Sequence, residues 1–371
     1  MSFIDEKRMV KELLEFIQIP SPSRHEKNFA ERVKKSLSSL GIKCQEDDTG
    51  KKIGGDCGNL YASLPGDKRR PALLFGAHLD TVESGGKITP IIKKGVMTSS
   101  GKTILGTDDK AAVVAILEML RVLKTSGAPH GPIELVFTVS EESGLLGAKY
   151  FDCKKLKAKA GFILDAHGPV GTIIVKAPAY DGIDATITGR ATHAGASPEK
   201  GISAIQIAAR AIAAMRLGRI DANTTANIGI ISGGTALNIV PEKCRLQGEA
   251  RSHREAALAR QIRHMLKCLH EAARRAGGDL EVEVERHFEI FRAPAGSLPV
   301  KLAKAAAKQL NLPFEMKASG GGADTAVFAA AGLPCVTVAC GYENPHGVNE
   351  SIALEQLRLL GEYAVALATS L

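Results

Sequence analysis

The chain contains no tryptophan, and aromatic residues make up only 4% of its composition. Proteins that bind single-stranded nucleic acids stack bases on aromatic side chains, so this composition argues against a stacking surface of that kind. The net charge of +8 arises from Lys and Arg residues that are spread along the chain without a long basic tract. We interpret this charge as a solvated surface, and we expect neither nucleic acid nor a membrane as a partner.

The chain also lacks a C-x-x-C motif and any apolar run near the ~20 residues that a transmembrane helix requires. Its seven cysteines are odd in number, which favours reduced thiols in a cytoplasm over a disulfide framework or a zinc knuckle. Residues 2–19 alternate charged and apolar side chains at helical spacing, a pattern that predicts an amphipathic helix rather than a signal peptide. We therefore expect a soluble, cytoplasmic protein.

What the chain does contain is a regular alternation of strand-like and helical segments. Strands are predicted at 72–79, 132–140, 160–166 and 171–177, and helices at 6–18, 25–40 and 109–124. This alternation is typical of an α/β fold with a mixed, mostly parallel sheet flanked by helices. A chain of 371 residues is long for a single core, which favours two domains.

Residues 179–292 follow a different pattern. Segments 183–188 and 279–291 alternate with a two-residue period, which is typical of an antiparallel sheet with one solvated face. Two helices are predicted between them, at 201–216 and about 253–276. Ser252 and Glu255 have the spacing of a capping box for the second helix. We therefore expect one domain built from 1–178 and 293–371, interrupted by an inserted α+β domain at 179–292.

Acidic and histidine side chains stand at or just beyond the ends of the apolar strands: His78, Asp80, Asp108, Asp109, Glu141, Glu142, Asp165 and His346. In open α/β sheets, ligands bind beyond the carboxyl ends of the strands, so these side chains are expected to converge. Imidazole and carboxylate ligands suit zinc, cobalt or manganese better than calcium or copper. Two metal ions are expected, because converging carboxylates without compensating charge would raise one another's pKa and stay protonated.

The first two of these positions have competing interpretations. His78 and Asp80 share one face of a strand, so one could bind a metal ion while the other orients the imidazole ring. A strand-end histidine with an unrelated aspartate is the alternative. Asp108 and Asp109 could likewise serve only the start of a helix, where acidic residues are common.

Glu141 and Glu142 follow an apolar strand and precede Ser143–Gly144. A turn at Ser143–Gly144 would bring both carboxylates to one site. One glutamate could then bind a metal ion while the other acts as general base on a water molecule. An exposed acidic turn is the alternative interpretation.

Five segments resemble the site motifs of the co-catalytic zinc peptidase family: Gly76–Val82, Leu105–Ala111, Thr138–Gly144, Phe162–Asp165 and Asn344–Gly347. That family includes aminoacylase, glutamate carboxypeptidase and succinyl-diaminopimelate desuccinylase, and the chain is most similar to its peptidase T branch. The resemblance covers essentially the whole chain. It implies that the inserted domain is the family's lid and dimerisation domain, so a homodimer through residues 179–292 is expected.

The resemblance also implies a role for each matching position. The expected metal ligands are His78 and Asp165 for one ion, Glu142 and His346 for the other, and Asp108 as the bridge. Glu141 is the implied general base, Asp80 the partner of His78, and Asp109 a neighbour that does not bind metal. Relatives that act as carboxypeptidases or acylases often have Glu at the Asp165 position, so Asp here resembles the aminopeptidases.

Three residues of the inserted domain acquire roles from the same resemblance. His193 lies in a segment similar to the family's A-x-H-A-G motif, whose histidine stabilises the oxyanion. In relatives that form dimers, that histidine reaches the site of the partner subunit. Asn238 lies in a segment similar to G-G-x-x-x-N-x-x-P, and Arg251 matches an arginine that binds the substrate carboxylate. Gly320–Asp324 resembles a loop of the site wall, and a helix N-cap at Asp324 explains it equally well.

The expected function is therefore a dinuclear, zinc-dependent aminopeptidase that acts on short peptides. Cobalt or manganese could replace zinc. One alternative is an amidohydrolase or deacylase acting on N-acyl amino acids with the same metal ions. A second alternative is a non-catalytic binding protein on the same fold.

Overall fold

The computed structural model describes residues 4–370, which form two compact units. Unit 2 comprises Ala177–Phe291 and Ser319–Gly322, and unit 1 comprises the other described residues. The predicted insertion at 179–292 starts two residues later and ends one residue later than the main segment of unit 2. Residues 1–3 and 371, which belong to predicted segments, lie outside the described residues.

The secondary structure is as follows. The helices are α1 (Glu6–Ile17), α2 (Lys27–Ser39), α3 (Thr49–Ile53), α4 (Thr107–Ser126), α5 (Leu146–Tyr150), α6 (Ala204–Ala214), α7 (Glu255–Ala276), α8 (Leu298–Gln309), α9 (Asp324–Ala330) and α10 (Leu354–Thr369). The first strands are β1 (Cys44–Glu46), β2 (Leu60–Leu64), β3 (Leu73–His78), β4 (Ile91–Lys93), β5 (Val96–Thr98), β6 (Ile133–Thr138), β7 (Ala160–Ala166), β8 (Thr172–Ala177) and β9 (Ala179–Thr188). They are followed by β10 (Gly218–Asp221), β11 (Thr224–Gly233), β12 (Lys243–Ser252), β13 (Asp279–Phe288), β14 (Phe291–Arg292), β15 (Glu315–Ala318), β16 (Cys335–Ala339), β17 (Tyr342–Glu343) and β18 (Ser351–Ala353).

The central sheet of unit 1 has the strand order β1-β2-β6-β3-β7-β16-β8, and β15 also pairs with β8. The pairs β6–β3, β3–β7 and β7–β16 are parallel, whereas β1–β2, β2–β6 and β16–β8 are antiparallel. Every residue of β3 and β6 is buried, as expected for strands covered on both faces. The predicted α/β fold with a mixed, mostly parallel sheet is confirmed.

Helix α4 is buried along most of its length. Residues 111–117 are all buried, so the helix is enclosed on every side. It packs against β3, α1 and α10, and its buried Glu118 accepts a hydrogen bond from Arg8 of α1 at 2.6 Å. Asp109, near the start of α4, accepts the backbone N–H of His78 at 3.1 Å. The start of this helix is therefore fixed beside the carboxyl end of β3.

Unit 2 contains an antiparallel sheet with the strand order β10-β11-β12-β9-β13. Alternate residues of β9 are buried beneath α6 and α7, and the intervening ones are partly exposed. This arrangement is the one that the two-residue period predicted. Within residues 4–370, none of the helices has both the length and the apolar character required to cross a membrane.

The predicted capping box of α7 is wrong. Ser252 is the last residue of β12, and its hydroxyl lies 2.9 Å from that of Thr224. The N-cap position is occupied by Arg254, and the carboxylate of Glu255 pairs with Arg286 at 3.1 Å. The serine hydroxyl is used by the sheet because β12 continues almost to the first turn of the helix.

Candidate metal centre

Five side chains form two adjoining groups that could each hold a metal ion. The ligand atoms of His78, Asp108 and Asp165 lie within 4.8 Å of one another, and so do those of Asp108, Glu142 and His346. Nε2 of His78 lies 3.3 Å from Oδ1 of Asp108 and 3.6 Å from Oδ1 of Asp165. Nε2 of His346 lies 3.2 Å from Oδ2 of Asp108 and 2.8 Å from Oε1 of Glu142. Asp108 thus directs one oxygen toward each group.

The topology of the sheet explains this convergence. Strands β6, β3 and β7 are parallel neighbours, so their carboxyl ends meet at one edge of the sheet. His78 ends β3, Asp165 stands near the end of β7, and Glu142 follows β6. The two histidines differ in access to solvent: the side chain of His78 is 1% exposed and that of His346 is 51% exposed.

Asp108 and Asp109 point to different partners. The peptide bond between them is cis, and both residues have non-helical backbone angles although they lie within α4. Asp109 is fully buried and contacts the backbone of His78. Asp108 alone of the two belongs to the candidate metal-binding groups formed by the described residues.

The glutamate pair stands on a turn that begins earlier than the sequence predicted. Ser140, with a φ of 52°, redirects the chain immediately before Glu141. The carbonyl of Glu141 accepts the N–H groups of Gly144 at 2.9 Å and Leu145 at 2.7 Å, which closes the turn. Ligand atoms of Glu141 and Glu142 lie within 4.8 Å of a ring nitrogen of His78. Both glutamates therefore reach the same site.

Asp80 contacts both the histidine and this turn. Nδ1 of His78 lies 2.9 Å from the carbonyl oxygen of Asp80 and 3.4 Å from its Oδ1. A proton on Nδ1 leaves the Nε2 lone pair directed at the site, which is the tautomer that a metal ligand requires. The Asp80 carboxylate also accepts the N–H groups of Glu141 at 2.9 Å and Glu142 at 3.1 Å, and the hydroxyl of Ser23 at 2.6 Å.

The electrostatics of the two histidines indicate a strongly negative site. Burial alone would lower the pKa of His78, but hydrogen bonds to Asp108 and Asp165 raise it well above its ordinary value. Hydrogen bonds to Asp108 and Glu142 raise the pKa of His346 to about 10. The imidazolium charges compensate the crowded carboxylates. Two divalent cations fit the same donor set, since they would supply this charge and leave both imidazoles neutral.

The carboxylates respond in opposite directions. Burial raises the pKa of Asp165 to about 6. Burial would also raise the pKa of Asp108, but hydrogen bonds to His346 and His78 lower it. Burial, together with the nearby charge of Asp165, raises the pKa of Glu141 well above its ordinary value. Carboxylates with divergent pKa values in one site are typical of acid–base chemistry.

Two further residues at the site, Tyr342 and Glu350, were not assigned to it from the sequence, and Asp324 belongs to the segment that resembles a loop of the site wall. The hydroxyl of Tyr342 donates to Oδ1 of Asp108 at 2.9 Å. Asp324 accepts the hydroxyl of Thr138 at 2.5 Å, and burial raises its pKa to about 7. The interpretation of Asp324 as a helix N-cap is wrong, because Ala323 occupies that position. Glu350 binds the backbone at the start of α4.

The residues predicted from the inserted domain belong to unit 2, whereas the candidate metal ligands belong to unit 1. Nδ1 of His193 accepts the N–H groups of Gly195 at 3.1 Å and Ala196 at 3.2 Å. The proton of the neutral ring is therefore on Nε2, which makes that atom a hydrogen-bond donor. Asn238 is exposed, and its backbone carbonyl accepts the N–H of Ala194 at 2.9 Å.

Arg251 is already engaged within unit 2. Its guanidinium donates to the carboxylate of Glu249 at 3.0 Å and 2.9 Å and lies 4.6 Å above the ring of Tyr180. Arg251 also lines a pocket of about 320 Å³ together with Arg219 and Gly320. The sequence did not predict that Glu249 would pair with Arg251. Opposite charges two positions apart on a strand are common and do not by themselves indicate a pair.

Comparison with known proteins places the chain in a family. Residues 74–370 match the model of peptidase family M20/M25/M40. The chain is 43% identical to the Bacillus subtilis (strain 168) protein YqjE over 98% of both chains. It is 42% identical to the aminopeptidase PepT from Bacillus cereus ATCC 10987, with a TM-score of 0.87 over 99% of both chains. A tripeptidase from Staphylococcus aureus subsp. aureus Mu50 is 38% identical, with a TM-score of 0.92 over 99% of both chains.

The matched range, residues 74–370, includes all five candidate metal ligands and residues of both units. The resemblance to the peptidase T branch that the site motifs indicated is confirmed by these relatives. The chain therefore belongs to peptidase family M20/M25/M40.

Proposed function

We propose that this protein is a peptidase T-like aminopeptidase that hydrolyses short peptides with the help of two divalent metal ions. Its membership of a peptidase family and its similarity to an aminopeptidase and a tripeptidase support peptide-bond hydrolysis. The observation that carries the proposal is the position of Asp108, which has one carboxylate oxygen beside His78 and the other beside His346.

The proposed metal ligands are His78 and Asp165 for one ion and Glu142 and His346 for the other, with Asp108 shared. Nitrogen and carboxylate donors favour zinc, with cobalt or manganese as alternatives. When bound, the two cations supply Lewis-acid chemistry at the scissile carbonyl.

Glu141 is the proposed general base. Its raised pKa suits a group that takes a proton from the attacking water and then returns it to the leaving amine. Asp80 supports this role in two ways, because it contacts the ring of His78 and holds the backbone N–H of Glu141. We place Asp80 as a positioning residue and Glu141 as the catalytic one.

Three residues of unit 2 are proposed to bind the substrate. His193 would donate from Nε2 to the oxyanion that forms at the scissile carbonyl. Asn238 and Arg251 would bind the carboxylate end of the peptide. Since Arg251 pairs with Glu249, the substrate carboxylate must share or replace that partner.

We further propose a homodimer formed through residues 179–292. Ile230 and Ile231 of β11 are 57% and 51% exposed, and an interface would cover these apolar side chains. Sedimentation velocity of the purified chain tests the dimer.

We also propose that the protein is located in the cytoplasm. All seven cysteines lie within residues 4–370, and all are free thiols.

A substrate panel tests the proposed activity. The chain is loaded with zinc, cobalt or manganese and offered tripeptides, dipeptides, N-acetylated tripeptides and N-acyl amino acids. We expect cleavage of free tripeptides, little cleavage of their acetylated forms, and complete loss of activity with a chelator. Cleavage of N-acyl amino acids in preference to free tripeptides would contradict the proposal and favour a deacylase.

A further inference from the structure

Glu350 lies in the loop after β17, and its carboxylate is buried at the start of α4. The residue is 1% exposed, and its carboxylate accepts five hydrogen bonds from one short segment. Oε2 accepts the backbone N–H groups of Leu105 and Gly106, both at 2.8 Å. Oε1 accepts the N–H of Thr107 at 2.7 Å, its hydroxyl at 2.6 Å and the N–H of Asp108 at 3.1 Å.

This carboxylate replaces a local helix cap. The first N–H groups of a helix have no partners within the helix, and a negative charge there is favourable. At α4 the N-cap position is Gly106 in a left-handed conformation, and Asp108 departs from helical geometry. Glu350 therefore satisfies N–H groups that a side chain at Gly106 would otherwise cap, and it fixes the backbone from which Asp108 projects.

The same residue is tied to the segment that carries His346. The N–H of Glu350 donates to the carbonyl of Gly347 at 3.1 Å, and the next residues form β18, which pairs with β17 and β5. His346 precedes Glu350 by four positions. Glu350 thus joins the two chain segments that supply Asp108 and His346, whose side chains approach within 3.2 Å.

We propose that Glu350 is a positioning residue that sets the separation of Asp108 and His346 and thereby the affinity of the second metal site. The inference rests on the proposed function, because it takes Asp108, Glu142 and His346 as ligands of one ion. Glu350 acts through the backbone, since its carboxylate contacts N–H groups and one hydroxyl. The class of ligand is a divalent cation such as zinc or cobalt.

Glu134 offers a matched control for a purely structural role. It is also buried, and its carboxylate accepts the N–H groups of Lys157 at 2.8 Å and Ala158 at 2.7 Å and the hydroxyl of Tyr61 at 2.9 Å. It stands near the start of β6, at the opposite end of that strand from Glu141. Glu134→Gln and Glu350→Gln therefore make the same chemical change at different distances from the candidate ligands.

The experiment measures zinc and cobalt binding to the purified full chain by competition with a chromophoric chelator. In Glu350→Gln, the amide NH₂ cannot accept hydrogen bonds and must face N–H donors. We therefore expect the loop after β17 to separate from the start of α4. We expect two ions bound to the wild type and to Glu134→Gln with equal affinities. In Glu350→Gln, we expect one of the two affinities to fall roughly 10- to 100-fold, the effect typical of residues that orient metal ligands.

Thermal unfolding of the metal-free proteins is measured in parallel. Both variants are expected to unfold at lower temperature, so lost stability alone does not separate them. Unchanged affinities in Glu350→Gln, or an equal loss in Glu134→Gln, would overturn the inference. If Glu350→Gln does not fold, Thr107→Val removes one of the five hydrogen bonds; weaker binding of one ion then supports the inference, and wild-type binding overturns it.

The measurement does not depend on peptide hydrolysis. A wild-type chain that binds two ions but cleaves no peptide would contradict the proposed function alone. A wild-type chain that binds fewer than two ions would contradict the proposed ligand set, and the inference would fall with it.

Discussion

Oδ1 of Asp80 accepts the backbone N–H of Glu141 over 2.9 Å. The residue predicted to orient His78 thus also holds the turn on which the proposed general base stands. A single carboxylate therefore links the position of one candidate metal ligand to the position of the base. The link is testable because an amide at this position can accept fewer hydrogen bonds.

Asp80→Asn is expected to lower kcat for a tripeptide roughly 10- to 100-fold with a smaller change in KM. The amide would place an NH₂ group against an N–H of the turn and displace Glu141. Asp152→Asn is the matched control, because Oδ1 of Asp152 accepts the N–H of Lys154 at 3.2 Å in an exposed turn. Steady-state kinetics and metal content are measured for both variants. Equal losses in the two variants would contradict a specific role for Asp80.

Glu141→Gln is expected to bind both metal ions with nearly wild-type affinity and to lose about 10²- to 10⁴-fold in kcat, the usual contribution of a general base. Glutamine keeps the size of the side chain but cannot take a proton from water. Metal content by mass spectrometry and single-turnover hydrolysis provide the two readouts. Wild-type hydrolysis by this variant would remove Glu141 from the mechanism.

The stability of the metal-free protein is expected to depend on pH through Asp324. Its pKa is raised by burial to about 7 in the folded chain, whereas an unfolded aspartate titrates near ~3.9. Between these values the folded protein holds a proton that the unfolded chain has lost. The contribution of Asp324 to stability is therefore greatest at low pH and falls as pH rises to about 7.

Asp324→Asn removes this dependence, because asparagine stays neutral and still accepts the hydroxyl of Thr138. We expect the variant to match the wild type near pH 4 and to be more stable at pH 8. The size of the gain is about 1.4 kcal/mol for each unit of pKa shift, as an upper bound. Guanidinium unfolding in the presence of a chelator measures it. A variant that is less stable at pH 8 would show that burial does not penalise the charged form.

Arg251→Ala is expected to raise KM roughly 10- to 100-fold for peptides with a free carboxyl terminus, the loss typical of one charged hydrogen bond. Peptides with an amidated carboxyl terminus should show little change. Arg245→Ala is the control, because Arg245 lies on the same strand and pairs with Asp184 in the same way. An equal loss for free and amidated peptides would contradict the role of Arg251 in binding a carboxylate.

The sequence predicted the parts of the site that have a local signature. Apolar runs without polar alternation identified β3 and β7 as buried strands, and the side chains at their ends, His78 and Asp165, meet as expected. Tyr342 and Glu350 were missed because they contact Asp108 across 234 and 242 residues of chain. Contacts of that range leave no pattern within a short window.

The capping error has a similar origin. Ser252 and Glu255 satisfy a local rule for a helix start, but the rule assumes that the serine is free of other structure. In the fold, Ser252 completes β12, and its hydroxyl is shared with Thr224 of the neighbouring strand. The pairing of β11 with β12 therefore determined the role of Ser252, which local spacing had assigned to the cap of α7.

The unequal exposure of the two histidines has a kinetic consequence. His78 is buried beside the start of α4, whereas half of the His346 side chain faces solvent. If both groups bind cations as proposed, the ion beside His346 is expected to exchange with the medium more readily, because one of its ligands is half exposed. The ion beside His78 is expected to exchange more slowly, because the ligand side chains around it are at most 10% exposed. Such a protein would keep one tightly retained ion through purification and would draw the other from its surroundings as their metal content changes.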